Sequence, residues 1–208
     1  MGPGFNFLKK PAPRNFLAGL FHTRHLRKSR YPLSLGSMKL RPLLVITSFL
    51  AMFSFTRAEP LKVGDSAPAV SGVTETGAKL AFADVYAKQP YTLVYFYPKA
   101  DSPGCTAQGC SLRDGYEALT QKGVAVIGVS HDDVDAQKAF KDKYHLPFTL
   151  IADHDGAVIS AFGVPTYPVV GFAHRQAYLI KSGKIIYTDY RGTTSTQAEA
   201  ILEVIAAQ

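Results

Sequence analysis

Short apolar runs recur from Tyr91 to the C-terminus, and the segments between them carry apolar residues at helical spacing. The opening "LKVGDSAPAVSGVTETG" reads as loop-rich. "YTLVYFY" (Tyr91–Tyr97) is β-branched and aromatic and is bounded by Pro90 and Pro98, which predicts a buried strand. From about Thr106 to Gln121 the positions Leu112, Tyr116 and Leu119 predict a helix. "VAVIGVS" (Val124–Ser130) predicts a second buried strand after Gly123. "DDVDAQKAFKDKYH" opens on capping carboxylates and spaces Val134, Phe140 and Tyr144 as a helix does. A short strand at "FTLIA" and a helix-like "GAVISAFG" follow. "QAYLI" and "KIIYTDY" then form a hairpin across Lys181-Ser182-Gly183, and an amphipathic helix begins near Thr196.

Strands alternating with helices predict an α/β domain with helices on both faces of the sheet. The closing hairpin makes the sheet mixed, with an antiparallel part. The order strand–helix–strand–helix–strand–strand–helix is compatible with a thioredoxin-like fold, a central mixed β-sheet flanked by helices. No repeat and no Pro/Gly/Ser linker divides residues 59–208, so one domain is expected there.

Charge changes the picture of the N-terminal part. The formal net charge is +7, from 23 Lys/Arg against 16 Asp/Glu. Ten of those bases and no acid fall in residues 1–58, which leaves 13 basic and 16 acidic residues in 59–208, a net of −3. A mildly acidic domain is not a nucleic-acid binder by charge. Within the basic part, "MKLRPLLVITSFLAMFSFTRAEP" starts at Met38 with Lys39 and Arg41. A largely apolar run of 13 residues, Leu43 to Phe55, comes next, and Thr56-Arg57-Ala58 offers a small-residue cleavage site. That is the layout of a secretory signal peptide at 38–58, too short for a comfortable membrane span. The expected location is therefore exported, periplasmic or secreted, after cleavage near Ala58, with no stable membrane insertion once the signal is removed; the alternative is an uncleaved segment kept as a membrane anchor. Residues 1–37 read as an extension upstream of the true start at Met38. The alternative is a transit-like segment of a two-part address to an organelle lumen.

The only two cysteines, Cys105 and Cys110, lie in "PKADSPGCTAQGC". A metal site is disfavoured, because zinc takes about four ligands and His131, His145, His154 and His174 are scattered singly. No metal or other cofactor is expected. A structural disulfide suits an exported protein, but two helical residues five apart hold their Cα atoms about 8–9 Å apart. A disulfide needs less than about 7 Å, so the bond forms only if the helix unwinds. A reactive thiol fits Cys105 well, because free N–H groups and the dipole at a helix N-terminus favour a thiolate. Pro98 and Pro103 stiffen the approach, and Gly104 lets another molecule close to the backbone.

"FYPKADSPGCTAQGCSLRD" resembles the active-site segment of peroxiredoxins, with Pro98, Ser102 and Cys105 at the positions of that family's proline, hydroxyl and cysteine. The second cysteine followed by "SLRD" resembles the bacterioferritin-comigratory, or Q, subfamily. "VGDSAPAVSG", "VIGVSHDD" and "HRQAYLI" resemble further segments of the family in the same order, the last carrying its arginine at Arg175.

The resemblance implies a peroxidase acting on hydrogen peroxide and organic hydroperoxides. Cys105 attacks the peroxide, and Arg175 holds the thiolate and polarises the substrate. Ser102 and the backbone at Gly104 bind the peroxide, and Pro98 shields the thiol. A sulfenic acid at Cys105 then condenses with Cys110 to an intrachain disulfide, which a thioredoxin-like reductant reduces. The charge and the lack of a long exposed apolar run lean toward a monomer. Serine stands at 102 where threonine is more frequent, and Ala177 where a hydroxylated residue often follows the arginine. Two other functions compete: a thiol–disulfide exchanger, though those use Cys-x-x-Cys, and a non-catalytic domain with a structural disulfide. Arg113 and Asp114 read as a surface pair.

Overall fold

A computed structural model describes residues 59–208; the expected signal peptide at 38–58 and the segment 1–37 lie outside the described residues. The strands are β1 (Ser71–Thr74), β2 (Lys79–Ala81), β3 (Tyr91–Phe96), β4 (Val124–Ser130), β5 (Thr149–Ala152), β6 (Gln176–Lys181) and β7 (Lys184–Asp189). The helices are α1 (Phe82–Lys88), α2 (Pro103–Asp114), α3 (Tyr116–Gln121), α4 (Val134–Tyr144), α5 (Ala157–Ala161) and α6 (Gln197–Ala206). The strands form one mixed sheet in the order β2-β1-β5-β4-β3-β6-β7. Strands β3, β4 and β5 are parallel, and β6 returns antiparallel to β3.

Period-two alternation in β3 builds the two faces of the domain. Leu93, Tyr95 and Tyr97 enter one core with Cys105, Leu112, Phe140 and Ile201. Val94 and Phe96 enter the other with Phe82, Ile127, Val158 and Phe162. Both faces of the central strands are therefore covered, which is why their sequences are almost continuously apolar.

Two expectations are corrected. The loop-rich opening also holds a strand, β1, and the segment after it forms β2 and α1, which the sequence pattern did not show. In β1 a Cβ at Gly72 would fall 2.5 Å from Ile151 Cγ2, so close packing requires the glycine. The single helix expected from about Thr106 to Gln121 starts earlier, at Pro103, and breaks into α2 and α3 at Gly115. At Gly115 a Cβ would approach Ala198 Cβ to 2.5 Å. The break admits α6 against the end of α2.

The remaining elements follow their signals. Asp133 caps α4 by accepting from Ala136 N–H at 2.8 Å. Ser182 and Gly183, at φ 49° and 73°, make the tight turn between β6 and β7.

Candidate active site

The chain leaves β3 at Phe96 and enters α2 at Pro103, where the fixed φ of proline suits the first helical position. The loop between them is fastened to α4 and the segment before it. Ala100 N–H donates to Asp132 Oδ2 at 2.7 Å, and Asp132 also accepts from Ser130 Oγ at 2.7 Å. Buried Gln137 donates to Ser130 Oγ at 2.8 Å and accepts from the Tyr97 hydroxyl. Asp101, at φ 57°, pairs with Lys143 Nζ at 2.7 Å and accepts from the Tyr144 hydroxyl at 2.6 Å. Lys143 and Tyr144 hold the Asp101 carboxyl below its ordinary pKa, chiefly by these hydrogen bonds. The start of α2 is thus fixed from outside the helix.

Cys105 lies in the first turn of α2 and is 1% exposed. The N–H groups of Gly104 and Cys105 precede any acceptor within the helix and face its N-terminal end. Strand pairing brings Arg175 to the same place. Gln176, the first residue of β6, lies opposite Phe96, the last of β3, so Arg175 falls at the edge where α2 begins. Its Nη2 donates to Cys105 Sγ at 3.2 Å, and its Nη1 donates to Gln108 Oε1 at 2.6 Å. Gln108 Nε2 donates in turn to Gln197 Oε1 on α6 at 2.8 Å. A Cβ at Gly104 would stand 3.1 Å from Arg175 Nη2, so the glycine leaves the guanidinium its place.

The other expected residues are near but do not all touch. Pro98 is half-buried, two residues after the end of β3. Ser102 occupies the N-cap position, yet its hydroxyl does not cap the helix; it donates to the Lys99 carbonyl at 2.9 Å. Cys110 lies on the same helix, half-buried, and both cysteines are free thiols. The intact helix turns Cys110 about 140° away from Cys105 and holds the Cα atoms about 8–9 Å apart. Arg113 pairs with Asp114 at 2.8 Å, as expected for a surface pair, and also donates to the Tyr144 carbonyl at 2.9 Å.

Gln108 and Gln197 had not been singled out in the sequence. Gln108 was accessible to it, standing three residues after Cys105 and so on the same helix face. Gln197 had no local signal. Among the described residues, no group of three or more His, Cys, Asp or Glu is arranged to hold a metal ion.

Residues 63–188 match the AhpC/TSA family. The Bcp peroxiredoxin of Escherichia coli K12 is 38% identical over 154 residues, covering 69% of this chain and 94% of that protein. The chain belongs to the AhpC/TSA family. Within it the relatives are peroxiredoxins of the Bcp/Q type. A putative peroxiredoxin bcp of Coxiella burnetii is 43% identical over 104 residues, 50% of this chain and 68% of its own. Peroxidoxin BcpB of Mycobacterium tuberculosis superposes with a TM-score of 0.66 at 22% identity, covering 71% of this chain and 97% of the other. That likeness establishes the thioredoxin-like peroxiredoxin fold.

Proposed function

We propose that this chain is a thiol peroxidase that reduces hydrogen peroxide and organic hydroperoxides through Cys105. The observation that carries the reading is the buried Cys105 thiol in the first turn of α2 with Arg175 Nη2 at 3.2 Å. The guanidinium and the first-turn N–H groups stand where they can stabilise negative charge on the reacting sulfur, and a thiolate is the nucleophile in such chemistry. Membership among the peroxiredoxins supports peroxidase chemistry in general.

In this reading the thiolate attacks the terminal oxygen of ROOH, the O–O bond breaks, and a sulfenic acid forms at Cys105. The alkoxide or hydroxide that leaves takes up a proton. Arg175 and the first-turn N–H groups stabilise the charge as it moves from sulfur to the leaving oxygen. Ser102 offers its oxygen as an acceptor while its O–H donates to the Lys99 carbonyl, and Pro98 shields the thiol. After α2 unwinds, the Cys110 thiol displaces water from the sulfenic acid to give the intrachain disulfide. A thioredoxin-like dithiol then reduces that disulfide and is itself oxidised. Export through the segment 38–58 belongs to the same proposal, with an organelle lumen as the alternative destination.

Peroxide consumption coupled to thioredoxin, its reductase and NADPH tests the function. Turnover with hydrogen peroxide and cumene hydroperoxide, abolished in Cys105→Ser and in Cys110→Ser, is the expected result. Equal turnover by the Cys105→Ser chain would overturn it.

A further inference from the structure

Among the described residues no carboxylate lies within salt-bridge range of Arg175. Its guanidinium bonds to a neutral amide and to the thiol, neither of which fixes the long stem. An arginine carries about 2 kcal/mol of rotamer entropy, so something else must hold it in place.

The register of β6 and β7 shows what does. Ala177 on β6 pairs with Asp189, the last residue of β7. Two steps further along this antiparallel ladder the chain after β7 comes level with Arg175. There Gly192 lies against the arginine stem so closely that a Cβ would fall 2.1 Å from Cγ, 2.3 Å from Cδ and 2.5 Å from Cβ. Its φ of 69° is also one that residues with a side chain rarely adopt. The buried Asp189 carboxylate fixes this turn, because Oδ1 accepts from Arg191 N–H and Gly192 N–H at 2.9 Å and Oδ2 from Thr193 N–H at 2.7 Å. Gly104 stands beside the guanidinium tip and Gly192 against the stem.

We propose that Gly192, fixed by Asp189, is a positioning residue that sets the reach of Arg175 to the Cys105 thiol. The inference rests on the reading of Arg175 as the group that holds the thiolate. It makes the connection between β7 and α6 part of the active site although it does not touch the cysteine. The same connection leads into Gln197, so one segment braces the stem through Gly192 and the tip through Gln197 and Gln108.

The test uses the full chain carrying Cys110→Ser and measures the second-order rate of Cys105 sulfenic acid formation with hydrogen peroxide. Four chains are compared: this parent, Gly192→Ala, Arg175→Ala, and the two substitutions together. Displacement of the guanidinium predicts a slowing of about tenfold or more for Gly192→Ala. It also predicts no further slowing when Gly192→Ala is added to Arg175→Ala, since the effect acts only through the arginine. A parental rate in Gly192→Ala, or an equal slowing in the Arg175→Ala chain, overturns the inference. Asp189→Asn keeps the glycine but turns an N–H toward that of Thr193. It is predicted to slow the reaction severalfold and to be silent beside Arg175→Ala, and it decides the matter alone if Gly192→Ala does not fold. A parent no faster than free cysteine overturns the peroxidase reading, and this inference with it. A fast parent with both variants silent overturns this inference alone.

Discussion

Gly109 stands between Cys105 and Cys110 in α2, in the stretch that must unwind before the two sulfurs meet. Glycine weakens a helix interior by about 1 kcal/mol relative to alanine. The site has room for a methyl group, because a Cβ would sit 3.5 Å from Leu146 Cδ1, Leu146 Cδ2 and Phe140 Cζ, an ordinary contact. Burying that methyl adds up to about 0.8 kcal/mol. Gly109→Ala therefore stabilises the helical form over the unwound one by about 1–2 kcal/mol. Disulfide formation after the sulfenic acid should slow by about 5- to 30-fold. The first step, attack on peroxide, uses the helical form and should keep its rate. Rapid mixing with one equivalent of peroxide, quenching with a thiol alkylator and intact mass separates the two steps. A second consequence follows, because a longer-lived sulfenic acid meets a second peroxide more often. Sulfinic acid should accumulate at lower peroxide concentrations than in the parent. A raised denaturation midpoint with an unchanged rate of disulfide formation would show that unwinding of α2 does not limit that step.

Ser111→Ala should act in the opposite direction, because Ser111 Oγ accepts from Ala198 N–H at 3.2 Å and ties α2 to α6. Loss of about 1 kcal/mol predicts disulfide formation a few-fold faster in the same assay. Asp189 predicts a pH effect: burial works against its charge, but the Thr193, Gly192 and Arg191 hydrogen bonds outweigh it and hold the carboxyl below the ordinary range. The stability it contributes is present above the unfolded carboxyl's pKa of about 3.9 and is lost as pH falls through the lower folded value. Asp189→Asn should therefore lower the denaturation midpoint at pH 7 and differ less from the parent below about pH 4. Lys141 pairs with buried Glu75 at 2.7 Å, and Glu75 also accepts from Leu150 N–H at 3.0 Å. Lys141→Met leaves that carboxylate unpaired and should cost about 2–3 kcal/mol in urea unfolding without changing the peroxide rate. Tyr95 keeps a buried hydroxyl without a partner among the described residues, so Tyr95→Phe should leave the midpoint unchanged or raise it.

Much of the fold could be read from local pattern because its central strands are long and covered on both faces. Tyr91–Phe96 and Val124–Ser130 carry that signal in their own residues. The β1–β2 hairpin and α1 did not, since strands of four and three residues give too few positions for a period to emerge. Helix α1 is only seven residues long and has no side-chain cap. At the site, Cys105 was legible from the proline, glycine and helix start around it, and Arg175 from family resemblance. Gln197, Asp189 and Gly192 were not, because what makes them matter is strand register and the docking of α6. Those contacts span up to 89 residues, and nothing in a local window reports them. Ser102 shows the converse case. It stands at the N-cap position of α2, where a serine side chain commonly caps, but the Lys99 carbonyl competes successfully for its hydroxyl.

In the proposed reaction Cys105 reacts with peroxide and Cys110 resolves the product. The most direct test mixes the reduced chain with one equivalent of hydrogen peroxide and follows both thiols, with intact mass to identify the product. Rapid loss of both thiols with loss of two hydrogens is expected, and a trappable sulfenic acid at Cys105 in the Cys110→Ser chain. Thiols that persist at the pace of free cysteine would contradict the proposed reaction.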